Sequence, residues 1–179
     1  MLDLSAFYNL FLDENWNPST SRNNSLAALP FGTPKLGGMK FDARGIIQLG
    51  GGVFRDIPAG HFPERVSAIS VGRACHRLHF LHATVIGTSD GSQIGSFVLH
   101  FNDGKTETVP IIYGRDVRDW ADTPDPLPVA WSNQEGELTL RLYKTTWENP
   151  TPDRVVQSVD YVSSMSQCGP FLVAMTLEK

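Results

Sequence analysis

Ile94-Gly95-Ser96-Phe97-Val98-Leu99-His100-Phe101-Asn102-Asp103-Gly104-Lys105-Thr106-Glu107-Thr108-Val109-Pro110-Ile111-Ile112-Tyr113 decides the fold class. Phe97, Leu99 and Phe101 share one face of an extended chain, and Val109, Ile111 and Tyr113 share another, a period of two that a helix cannot use. Between them Asn102-Asp103-Gly104-Lys105 supplies the positive φ of a tight reversal. The stretch reads as an antiparallel hairpin. Pro110 has no N–H to donate, which predicts an edge position or a bulge for the second strand.

The same period continues on both sides. Upstream, Phe41 to Leu49 reads as a strand ending at the Gly50-Gly51-Gly52 turn, Val66 to Val71 as a short strand, and Cys75 to Ile86 as a strand apolar on both faces. That last pattern predicts a central strand between two layers. Downstream, Val129 to Ser132 is short, and Glu137 to Thr146 alternates with Leu138, Leu140 and Leu142 inward and Thr139, Arg141 and Tyr143 outward. Arg154 to Ser163 and Pro170 to Glu178 close the chain. Turns fall at Ser89-Asp90-Gly91 and Asn149-Pro150-Thr151-Pro152, and Asp119 to Pro128, with Pro124, Pro126 and Pro128, is a loop. About nine or ten strands without crossover helices predict an all-β antiparallel β-sandwich or a barrel.

With 179 residues the chain can bury about 70% of its extended surface around one core. One domain is expected, with residues 1–40 an irregular N-terminal lead-in packed on a sandwich of residues 41–179. Leu4, Phe7, Tyr8 and Phe11 fall at helical spacing, so a helical turn and an irregular strand both remain open there, while Asn15 to Ser25 reads as loop.

Fifteen Lys and Arg against nineteen Asp and Glu give a charge of −4, opposite to the basic footprint of phosphate-backbone binders, so no nucleic-acid partner is expected. No apolar run approaches the roughly 18 residues of a membrane span, so no membrane insertion is expected. The start Met1-Leu2-Asp3-Leu4-Ser5 carries acid where an export signal carries base; a cytoplasmic protein and a piece of a longer exported one both stay open. Cys75 and Cys168 allow one bridge or two buried thiols.

Enzymatic constellations are weak. His76, His79 and His82 resemble a metal site, but on a strand His79 faces away from the other two, which lie roughly 20 Å apart, so a site would need a partner such as His100. There is no Gly-x-Ser-x-Gly elbow, and Cys75 and His76 turn to opposite faces. Glu107, Asp116, Asp119, Glu137 and Glu148 could furnish a carboxylate pair, yet no spacing pairs two of them. The Gly50-Gly51-Gly52 run lacks the Lys-Ser of a phosphate loop and reads as a turn. A non-catalytic protein is expected.

Aromatic residues suggest a ligand. Tyr143 and Trp147 share the face opposite the leucines, near Arg141, Lys144, Glu148 and Asn149, and an exposed ring beside polar groups suits a sugar. A second cluster, Arg115, Asp116, Arg118, Asp119 and Trp120, follows a strand as a charged loop on a rigid scaffold. The candidate ligand residues are therefore Arg115, Asp116, Asp119, Trp120, Tyr143, Trp147 and Asn149.

Four segments carry a resemblance: Val109-Pro110-Ile111-Ile112-Tyr113-Gly114-Arg115-Asp116-Val117-Arg118-Asp119-Trp120, Trp147-Glu148-Asn149-Pro150-Thr151-Pro152, Val156-Gln157-Ser158-Val159-Asp160-Tyr161 and Pro170-Phe171-Leu172-Val173-Ala174-Met175-Thr176-Leu177. Together they resemble the galactose-binding-domain-like β-sandwiches, modules often attached to bacterial carbohydrate-active enzymes and cell-surface proteins, and the resemblance implies a jelly-roll fold. The resemblance covers residues 41–178 and implies glycan binding by loops at one end, and in many members a structural calcium where first and last strands meet. By location Asp13, Glu14 and Glu178 would be its carboxylates; no other cofactor is implied. The leading expectation is a module that binds a neutral glycan. The alternative is a protein-interaction or scaffold domain of a bacterial regulatory or envelope protein, marked by an apolar patch.

Overall fold

The computed structural model describes residues 1–15, 25–55, 61–121 and 127–179; the loops expected over 16–24 and 122–126, with Pro124 and Pro126, lie outside the described residues. The described chain is all-β and antiparallel. Its strands are β1 (Lys35–Leu36), β2 (Met39–Lys40), β3 (Ile47–Gln48), β4 (Arg65–Ala74), β5 (Arg77–Val85), β6 (Gln93–Phe101), β7 (Thr106–Ile112), β8 (Val129–Glu135), β9 (Leu138–Glu148), β10 (Val155–Ser163) and β11 (Gly169–Glu178). One large sheet runs β4-β10-β6-β7 and the other β3-β11-β5-β9-β8, and β1 and β2 pair as a separate two-stranded ribbon.

The hairpin forms as its pattern demands. Phe97 pairs with Val109 and Leu99 with Glu107, and Gly104 takes φ 81° in the turn. β7, with Pro110, is an edge strand, where a missing N–H costs no ladder bond. β5 is the middle strand of its sheet, and its even-numbered side chains face the other sheet: the Phe80 ring stacks on Phe97 of β6 at 3.8 Å, and Phe97 on Tyr161 of β10 at 5.1 Å. These contacts make the two sheets a sandwich with one aromatic core.

The odd-numbered face of β5 is buried too. Residues before β3 lie over it: the Thr176 hydroxyl donates to the Lys40 carbonyl, Leu2 N–H to Met175, and Lys144 Nζ to the Gly37 carbonyl. Leu4, Leu26, Leu29, Leu36, Phe41 and Ile46 fill this layer, with no α-helix among its described residues. The helical spacing of Leu4, Phe7, Tyr8 and Phe11 produces only a turn. The expected strand Phe41 to Leu49 shortens to Ile47–Gln48, because only those two residues pair with β11.

Strand polarity gathers the connections after β3, β5 and β7 and the β10–β11 loop at one end of the sandwich; the β4–β5, β6–β7 and β9–β10 turns occupy the opposite end. The first end carries the longer loops.

Candidate functional site

The aromatic platform expected on β9 is corrected by the structure. The alternation is as read, but the faces are exchanged: Phe80 pairs with Thr145, His82 with Tyr143 and Leu78 with Trp147, so the odd-numbered face of β9 looks into the sandwich. Tyr143 is 1% exposed and Trp147 7%. Leu138, Leu140, Leu142 and Lys144 lie on the other face, which the N-terminal layer covers. Asn149 is also buried: its Nδ2 donates to the Cys75 carbonyl, and its Oδ1 accepts from Thr151 N–H, an Asx turn that starts the β9–β10 loop.

The loop after β7 is likewise structural. Thr84 N–H donates to Arg118 O, Trp120 N–H to Thr84 O, and Arg141 N–H to Trp120 O, so residues 118–120 are laid into the sheet where β5 and β9 diverge. Trp120, 4% exposed, meets Phe171 edge-on at 6.1 Å. Asp116 accepts from Ile112 N–H at 2.7 Å and binds Arg115 through both carboxylate oxygens, and Asp119 accepts from Ala121 N–H. Arg118 reaches Asp90 and lies over the Tyr113 ring. Of this group only Arg115 is exposed. The two predicted clusters are not brought together, since Trp147 and Asn149 lie at the opposite end from Arg115 to Trp120.

Histidines and carboxylates are spent in pairs. His76 is exposed in the β4–β5 turn; His79 faces the N-terminal layer and bonds Thr146 Oγ1 at 2.9 Å and Glu178 at 3.1 Å. His82 is sealed in the core against Thr145 Oγ1 at 2.7 Å, and burial pushes its pKa down to about 4. Glu107 accepts from Trp147, Glu148 holds Arg77, and Asp160 holds both Arg65 and His100. Burial pushes the Asp160 carboxyl up, but the Ala68 N–H, Arg65 and His100 outweigh it and hold the pKa low.

A calcium does not fit the carboxylates nominated for it. Glu178 is tied to His79 and Arg77, Glu14 accepts from Phe11 N–H, and among the described residues no three His, Cys, Asp or Glu side chains gather. The two thiols are unbridged and buried, Cys75 at the β4–β5 turn and Cys168 before β11, at opposite ends of the sandwich.

The loop end carries a cavity that sequence reading missed. It has about 350 Å³ and is lined by Gly50 to Gly52, Phe54, Arg55, His61, Phe62 and Met165. The glycine run packs against the β10–β11 loop: Gly52 N–H donates to Ser166 O, a Cβ on Gly51 would fall directly onto the Cys168 carbonyl oxygen, and one on Gly50 would come within 2.9 Å of Phe62 O. Buried Phe54 holds the half-exposed Phe62 ring edge-on at 4.8 Å. The Arg55 and His61 side chains are exposed, and among the described residues they make no hydrogen bond or ion pair and no carboxylate lines the cavity. A fixed aromatic ring beside two free donors is the one such arrangement among the cavities described. The glycine triplet was its only local signal.

No known protein-family model matches the chain, and no curated protein matches it in sequence.

Proposed function

We propose that the domain is a non-catalytic carbohydrate-binding module that holds the end of a neutral glycan in the cavity between Gly50–Gly52, Phe62 and Met165. The carrying observation is the Phe62 ring, fixed by Phe54 at 4.8 Å and half-exposed beside Arg55 and His61. A preset ring stacks on the apolar C–H face of a pyranose without paying to order itself, and guanidinium and imidazole N–H groups bond its hydroxyls. A volume near 350 Å³ lies at the small end of the range for ligand sites. Among the described residues the lining offers neither a carboxylate pair nor a Ser or Cys nucleophile, which supports recognition over hydrolysis.

A glycan array with the wild-type chain, followed by titration of Phe62→Ala and Arg55→Ala, tests this. Binding by the wild type that weakens about tenfold or more in Phe62→Ala supports the reading. A wild type silent across the array overturns it.

A further inference from the structure

A second concave site lies in the N-terminal layer, about 240 Å³ in volume. Buried Leu12 and Leu29 form its base, Phe11 and Phe31 flank it, and Asp13 and Arg44 stand at its rim. Phe11 is 72% exposed and Phe31 74%, the two most exposed large apolar side chains described. A single exposed phenylalanine is ordinary; two of them joined over a leucine base make a continuous apolar patch.

Among the described residues the charge near the patch is more negative than positive. Arg44 Nε donates to Asp42 at 2.6 Å, so its charge is already matched. That leaves Asp13 at the rim, Glu14 bonded through its carboxylate to Phe11 N–H at 3.1 Å, and Asp3 close enough to be attracted by Arg44. Among the described residues Asp13 lines the groove, and Asp3, Glu14 and Asp42 lie close to its lining residues, against the one cation Arg44. An incoming surface must offer apolar side chains to the two rings and positive charge to the rim.

We infer that this groove docks a protein segment with an aromatic or aliphatic anchor residue flanked by lysine or arginine. The anchor enters between Phe11 and Phe31, displaces water from both rings and rests on Leu12 and Leu29. The flanking cations reach Asp13 and Glu14. A neutral glycan supplies no positive charge, and the groove shares no lining residue with the Phe62 cavity, so loss of one leaves the other intact.

Fluorescence anisotropy of the full chain tests it with two labelled peptides of roughly twelve residues that share a Leu-x-x-Phe core, one flanked by lysines and the other by glutamates. The lysine-flanked peptide is expected to bind about tenfold or more tightly than its glutamate twin, and to weaken as salt rises. The double variant Phe11→Ser, Phe31→Ser is expected to lose about tenfold or more, and Asp13→Asn to lose a few-fold and flatten the salt dependence. Both rings are exposed, so the double variant should keep the wild-type unfolding temperature, which is measured alongside. Equal affinity for the two peptides, or no change in the double variant, overturns the inference. So does a dimer in light scattering that Phe31→Ser disperses, because the patch would then be a contact between copies of this chain.

Discussion

Trp147 of β9 donates its indole Nε1–H to Glu107 Oε1 of β7 at 2.8 Å, tying the two sheets together near the hairpin end of the sandwich. The bond joins strands that share no ladder, and it accounts for a buried indole N–H that would otherwise lie unmet. Trp147→Phe should cost about 1.5 to 3 kcal/mol, the loss of a hydrogen bond to a charged acceptor. Trp147→Ala should cost about 3 to 5 kcal/mol, because a cavity is added. Glu107→Gln keeps an acceptor and should cost less than either. Urea unfolding of the three variants checks the order.

His82 makes the fold acid-sensitive from about pH 6.5 downward, starting above the range in which ordinary carboxylates titrate. Its pKa is held at about 4 by burial, against about 6.5 in an unfolded chain. Between those values the unfolded state takes a proton that the folded state refuses, so stability is full above about pH 6.5 and falls as pH drops towards 4. The loss approaches roughly 3 kcal/mol. His79, whose pKa burial also lowers, acts in the same direction. Unfolding free energies across this window should show the slope in the wild type and a flatter line in His82→Phe.

Gly51 has no room for a side chain. A Cβ there falls onto the Cys168 carbonyl oxygen, a backbone atom that cannot turn aside. Gly51→Ala should therefore lose more than the about 1 to 3 kcal/mol of ordinary overpacking. Gly104→Ala meets nothing within 4 Å and strains only its φ of 81°. Thermal unfolding of the pair should separate a close approach from a turn preference.

The hairpin was legible because everything that forms it is local: a period of two, an Asp-Gly turn, and a proline that places β7 at an edge. The faces of β9 were not. A period of two says that a strand has two faces, not which of them meets the second sheet, and here both are buried because the N-terminal layer covers the leucines. Trp120 looked like a loop residue for the same reason: its neighbours Thr84 and Arg141 are distant in sequence, and only the divergence of β5 from β9 makes room for it. The Phe62 cavity is built from residues 50–55, 61–62 and 165, three segments that no window reads together. The Phe11 and Phe31 groove joins positions separated by twenty residues.

Recognition at the loop end is tested most directly by nuclear magnetic resonance of the labelled chain, titrated with the strongest neutral oligosaccharide from the array. Shifts should concentrate on the Gly50 to Gly52 amides, the Phe62 ring and the Met165 methyl, and should vanish in Phe62→Ala. Shifts confined to residues elsewhere, or none at saturating sugar, would contradict glycan binding in this cavity.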